Sequence, residues 1–438
     1  MKRLLMGVIC LGIAALPVAA ENWPGWRGPR ADGTSKDKGF PTKWSATENV
    51  AWKTAIPGRG HSSPVVWEDR IFVTSCLEGN DPKDKATPRD RVLVCVNRKD
   101  GKVLWQKTIL TSPLEPVHKE NSYASSTPAT DGKYVYVNFF DKPQVIVTAY
   151  DFNGNEVWRK NPGEFQSVHG FGIPPVLYKD LVIINCDQDA EGKKKQAYIV
   201  TLDKKTGEER WRIDRPNRIR SYTPPFIHEA GGKMQMVLTG CETVASYDPD
   251  TGKPIWSISG PTEQFVASMI FHKGHFYLTA GFPTYHVMCI RPDKTGNISE
   301  TLAKYSKAKA VKGEPNPNSG VVWHESKGAG YVPSPVGYGD YVFLVHDDGR
   351  ASCRDAMTGE LHWLERLGTH HHASPVEAEG KLYYVDDNGI TWVVKADKKF
   401  EVLEKNPIGE LSFSSPAFSN GQIFIRGEKH LFCIGKSD

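Results

Sequence analysis

The chain has 438 residues, of which 39% are hydrophobic, 11% aromatic and 24% charged, the composition of a globular chain with ample material for a core. Its formal net charge of +4 drops to +2 once Lys2 and Arg3 leave with the leader described next, which excludes the concentrated basic surface that nucleic-acid binding needs. Twelve tryptophans, 40 glycines and 30 prolines favour many short strands joined by tight turns.

The N-terminus reads as a secretory leader. Lys2 and Arg3 form its basic region, Leu4 to Leu16 its apolar stretch, and Pro17-Val18-Ala19-Ala20 a small-residue cleavage site near Ala20. Gly7-Val8-Ile9 before Cys10 lacks the pattern of a lipid-anchor site. No other segment approaches the roughly 20 apolar residues of a transmembrane helix. The expected organisation is therefore a leader over 1–20, an arm over 21–47 and a repeat domain over 48–438. The mature chain is expected to be periplasmic or secreted. Seven cysteines remain in it, without a CxxC pair or metal-finger spacing, and Cys95, Cys289, Cys353 and Cys433 share one position in successive apolar strands. They read as small buried hydrophobes.

From residue 52 onward the chain repeats. Trp52, Trp105, Trp158 and Trp211 stand 53 residues apart, Trp256 follows after 45, and Trp363 after 107, two further units. From Trp105 each closes a turn phrase, DGKVLW, NGNEVW, TGEERW, TGKPIW and TGELHW, whose Gly supplies the positive φ of a tight turn. A small residue or Pro followed by Pro and an apolar strand recurs upstream, at Pro64, Pro128, Pro175, Pro225, Pro335, Pro375 and Pro416, with Met269 replacing Pro in the fifth unit. A β-rich strand follows each of these. Four strands per unit and eight units predict an all-β, eight-bladed β-propeller. The last unit lacks a Trp phrase and NVAWKT around Trp52 supplies it, so the N-terminal strand is expected to close the last blade. The fifth unit (DKTGNISETL) and the seventh (ADKKFEVL) read as degenerate, keeping the turn and losing the Trp.

These Trp-docked units, with HSSPVV, NSYASSTPATDG, SPVEAEGKLYYV and the arm NWPGWRGPRADGTS, resemble the pyrroloquinoline quinone (PQQ)-like propeller repeat. Quinoprotein alcohol dehydrogenases and the outer-membrane assembly protein BamB share that repeat. The resemblance covers nearly everything after residue 47, and it implies the fold more firmly than any chemistry. In the dehydrogenases it implies PQQ with calcium, held under a pair of adjacent half-cystines with a catalytic Asp. This sequence has no Cys-Cys pair, which disfavours both cofactors.

Function is expected on the face opposite the repeated DG and TG turns, where the links are irregular. Polar residues there precede the innermost strands, so one or two from each blade would converge on the central channel. Candidate ligand-binding residues are His61, Tyr123, His169, Arg220, Tyr222, Tyr331 and His371, a set suited to proton transfer and to holding an anionic or sugar ligand. Arg59, His118, Glu120, Asn121, Glu263, Gln264 and Glu410 stand beside them. Adjacent strand residues alternate faces, so His370-His371-His372 can turn at most two rings together, and no metal site is expected. Asp347-Asp348-Gly349 and Asp386-Asp387-Asn388-Gly389 read as hairpin turns, and Asp187-Gln188-Asp189 is the remaining acidic cluster. GxSxG, P-loop and HExxH motifs do not occur. The leading expectation is a scaffold that binds a small molecule, glycan or envelope protein. The alternatives are a polysaccharide lyase-like enzyme using the His/Tyr/Arg ring, and a PQQ-dependent dehydrogenase.

Overall fold

The second and third strands of the repeats are mostly apolar and largely buried, and some are buried along their whole length, as in Leu181–Cys186 and Gln422–Arg426. Such runs arise when both faces of a sheet are covered. The fourth strands alternate, as in Glu209–Asp214, because their edge meets solvent. A computed structural model describes residues 20–79, 81, 83–188, 197–215, 219–306 and 313–436, which leaves the leader through Ala19, Asp189 and lysines 193–195 outside. All regular elements among the described residues are strands, in eight sheets, seven built on four strands of one repeat in sequence order and the eighth on three such strands plus one from the N-terminal end. The fold is the expected eight-bladed propeller. No helix among the described residues is long and apolar enough to cross a membrane.

The repeated Trp joins one blade to the next. The indole nitrogen donates to a main-chain oxygen of the following blade, from Trp52 to Arg98 (2.7 Å), Trp105 to Phe152 (2.9 Å), Trp158 to Lys204 (2.9 Å) and Trp363 to Asp397 (3.0 Å). Trp256 donates instead to Gln235 Oε1 at 2.8 Å. Two demands fix the glycine of each turn. Gly101 has φ +73° and Gly207 φ +72°, and a Cβ on either would sit 2.7 Å from the Trp ring that docks over it. The four repeated cysteines lie directly across the strand pair from a Trp: Cys95 opposite Trp105, Cys289 opposite Trp323, Cys353 opposite Trp363 and Cys433 opposite Trp52. All are free and buried. A small side chain there leaves room for the indole.

The fifth blade corrects one expectation. Its fourth strand is Val321–Glu325, and Trp323 docks on Ala356 O at 2.9 Å like the others. The Thr-Gly turn at 295–296 is followed by Gly296–Asn297, which pairs in parallel with Pro254–Ser259 of the fourth blade. The intervening insertion carries the Trp beyond its expected spacing, so the unit reads as degenerate although its dock is intact. The seventh blade does lack a Trp in its fourth strand, Val402–Pro407.

Around the channel, Ser and Thr residues at the head of several innermost strands stitch neighbouring blades. The amide of Ser63 donates to Thr127 Oγ1, Ser268 to Ser334 Oγ, Ser334 to Ser374 Oγ and Ser374 to Ser415 Oγ, each at 2.9 Å. The Pro that follows begins an edge strand, where its missing N–H costs no ladder bond. Val50–Ala55 pairs antiparallel with His430–Ile434, so the N-terminal strand completes the eighth blade and removes an open edge. Before it, the arm crosses the opposite end of the channel. Trp23 exchanges main-chain bonds with Val66 of the first blade, and Thr34–Ser35 adds a parallel strand to Val376–Ala378 of the seventh.

Candidate functional site

The irregular links converge as expected on one mouth of the channel, around a cavity of about 590 Å³. His118, Glu120 and Asn121 come from the link between the first and second blades, His169 from the next, Arg220 and Tyr222 from the next, and Gln264 and Val266 from the fourth-to-fifth link. Tyr331, His370, His372 and Phe413 come from the later links, and Asp347 from a turn of the sixth blade. The floor is Trp26 of the arm, whose indole donates to Ser268 Oγ at 2.9 Å.

Of the seven candidates, His61, His169, Arg220, Tyr222 and Tyr331 line this cavity. Tyr123 and His371 do not. Tyr123 is buried among the apolar residues between the first two blades, with Arg91 and Lys85 over its ring. His371 is fully buried, its ring nitrogens against Val385 O (3.1 Å) and Leu367 O (2.6 Å). The link is extended here, so successive side chains alternate, and inward packing of His371 turns His370 and His372 toward the cavity. Of the neighbouring residues, Glu410 is used in its own blade, accepting from His430 Nδ1 at 2.8 Å, and Arg59 pairs with Glu428 at 3.3 Å.

Neighbouring links hold one another around the rim. Asn121 Nδ2 donates to His169 O at 2.8 Å, and the His118 and His169 rings meet edge to face at 5.5 Å. Tyr222 OH lies 2.8 Å from Ser167 Oγ. The Tyr331 amide donates to Asp347 Oδ1 at 3.1 Å, while burial pushes the Tyr331 phenol up to about 12 and keeps it a neutral donor. His372 and His370 both place Nδ1 on Asp387 Oδ2, at 2.8 and 2.7 Å, and Glu120 Oε2 lies 3.8 Å from both His372 Nε2 and His118 Nδ1. Asp387 sits in the hairpin turn expected for it, yet its carboxylate reaches across to the preceding link. Sequence reasoning missed Trp26, Asp347 and Phe413 as cavity residues, and of the histidine triplet it chose His371 where His370 and His372 line the wall. The aromatic density of the arm and the two outer histidines of the triplet were the available signals.

His61 stacks on Phe413 at 4.5 Å, and burial, followed by the charge of Arg59, lowers its pKa from 6.5 to about 3. Between those values the unfolded chain binds a proton that the native chain does not, so stability falls as pH drops through this window. The expected loss between pH 8 and pH 5 is about 2 kcal/mol. Urea midpoints at the two pH values check this, because His61→Gln removes that part of the acid slope. A variant with an unchanged slope refutes the assignment.

The profile of the family described as outer membrane protein assembly factor BamB matches residues 36–141, 88–270 and 308–434. The chain belongs to this family. No curated protein matches the sequence. Among solved structures, BamB from Moraxella catarrhalis superposes with a TM-score of 0.58 at 11% identity, over 88% of this chain and 99% of that one. Quinohemoprotein alcohol dehydrogenase from Comamonas testosteroni gives 0.64 at 14% identity, over 95% and 81%. The computationally designed Ika8 protein gives 0.58 at 11%, over 87% and 98%. These likenesses establish the PQQ-like propeller fold and leave chemistry to the cavity.

The quinone that the dehydrogenase resemblance implies finds a different donor set here. All seven described cysteines are buried, and none lines the cavity, so the half-cystine cover has no counterpart among the described residues. The two carboxylates at the wall, Glu120 and Asp347, come from separate parts of the ring. The residues present do not fit the quinone.

Proposed function

We propose that this BamB-family propeller is an exported binding protein whose channel mouth captures an anionic small molecule or glycan, without quinone chemistry. The reading is carried by the cavity. Its volume of about 590 Å³ suits a ligand of several rings. Apolar surface from Trp26, Phe413, Phe282 and Val266 alternates with Arg220, Tyr222, Tyr331 and five histidines. Arg220 can take a carboxylate or sulfate in a two-point contact. The tyrosines and imidazoles can meet hydroxyls, and Trp26 offers a flat floor for a sugar ring. Export is supported by the leader-like N-terminus and by the description of the family as an outer membrane assembly factor.

Native mass spectrometry of the purified mature chain, followed by titration with uronic-acid oligosaccharides read by tryptophan emission, tests this. Arg220→Ala is expected to weaken binding about tenfold or more. A chain that responds to no acidic ligand, or an Arg220→Ala variant that binds equally well, rules the reading out. A second reading, β-elimination from an acidic glycan, is favoured by Tyr331, whose neutral phenol can donate a proton to a departing glycosidic oxygen. It predicts ultraviolet absorbance from an unsaturated product, lost in Tyr331→Phe.

A further inference from the structure

We propose that His370, His372 and Asp387 form a binding site for a divalent transition-metal ion at the rim of the cavity. His370 and His372 are two residues apart in an extended link, so both rings leave the same side while His371 anchors the backbone between them. The turn after Lys381–Val385 brings Asp387 against both rings. Its Oδ2 lies 2.7 Å from His370 Nδ1 and 2.8 Å from His372 Nδ1, and one ligand atom from each residue lies within 4.8 Å of the others.

Asp387 is itself fixed. Its amide donates to His370 O at 3.0 Å, and its Oδ1 accepts from the His372 amide at 3.0 Å. Glu120, 3.8 Å from His372 Nε2, faces the far side of that ring and can hold its orientation. The structure thus contains three donor atoms and groups that aim them.

Two imidazole nitrogens and one carboxylate oxygen are a donor set for zinc and its neighbours in the first transition row. With bonds of about 2.0–2.2 Å in a tetrahedral site, ligands on one ion lie about 3.3–3.6 Å apart. Opening the two His–Asp contacts by about half an ångström or slightly more reaches that spacing. Three protein ligands leave coordination positions open. Both histidines line the cavity, so those positions can be reached by water or by a carboxylate or hydroxyl of whatever occupies it. The inference rests on the triad and not on the identity of the cavity ligand.

The test is isothermal titration of untagged, chelator-stripped mature protein with zinc chloride. One zinc per chain is expected, with affinity reduced about 100-fold or more in Asp387→Asn and in His372→Ala. Cobalt(II) is expected to give visible absorption bands that these variants abolish. His324→Ala, which removes the unrelated His286–His324 contact at 2.8 Å, leaves uptake unchanged. Near-ultraviolet circular dichroism checks folding, and His370→Gln, on the more exposed ring, is the substitute if either variant unfolds. Absence of stoichiometric uptake, or uptake lost in His324→Ala and kept in His372→Ala, overturns the site. Acidic-ligand binding that persists in protein taking up no zinc sinks this inference and leaves the binding function standing.

Discussion

Replacing Asp187 by Ala is expected to destabilise the propeller by about 3–5 kcal/mol, because it strands a buried guanidinium. Asp187 and Arg215 are both fully buried, with Arg215 Nε 3.0 Å from Oδ1 and Nη2 3.4 Å from Oδ2. Burial works against the charge on Arg215, and Asp187, together with Tyr247 and Cys241, more than offsets it, holding the pKa above the ordinary arginine value. Arg215 also donates to Tyr247 OH at 2.7 Å and Gly240 O at 3.0 Å, neither of which can replace a carboxylate. Denaturant midpoints of Asp187→Ala measure the loss. Asp187→Ala combined with Arg215→Met is expected to recover most of it, since removing both charges ends the desolvation penalty. A single variant costing under about 1 kcal/mol contradicts the argument. Of the cluster Asp187-Gln188-Asp189, whose last residue lies outside the described residues, the carboxylate of Asp187 is already committed to Arg215.

The blades are legible in the sequence because each is built from local signals. A Trp, the Gly that lies beneath the preceding Trp, and a Pro at the channel edge recur in most blades, and the register follows from turn to turn. Local reading fails where contacts skip along the chain. Trp323 escaped because an insertion displaced it, although its dock on Ala356 is ordinary. Tyr123 has the neighbours of a channel residue, but its ring turns between two blades. In the His triplet, alternation puts the two outer rings together without saying whether they or His371 face the cavity. That choice is made by the carbonyls of Leu367 and Val385, which take His371 inward. The floor is the extreme case, since Trp26 meets Ser268 across 242 residues of sequence.

That floor depends on one side chain, and Arg27→Ala is expected to release it. Arg27 is buried in the arm next to Trp26, where Nη2 donates to Asp32 O at 2.6 Å and Pro335 O at 2.5 Å, and Nη1 reaches Ser334 O at 3.4 Å. Burial lowers its pKa to about 10, so it stays charged near neutrality and makes charge-assisted bonds. These tie the arm to itself and to the inner edge of the sixth blade, between its anchors on the first and seventh. Truncation leaves three carbonyls without this donor and a void where the guanidinium stood, at a cost of about 3 kcal/mol or more. Limited proteolysis is expected to cut the variant within residues 24–35 while the blades stay resistant. Trp26 emission shifts to the red as its ring meets water. Arg27→Lys does not rescue, because an ammonium lacks the planar fork that serves several carbonyls at once. Acidic-ligand affinity falls about tenfold with the loss of the floor, whereas His372 and Asp387, at the opposite rim, keep their contact. An arm that remains protected, with stability reduced by less than about 1 kcal/mol, would show that Trp23 and Thr34–Ser35 hold it without Arg27.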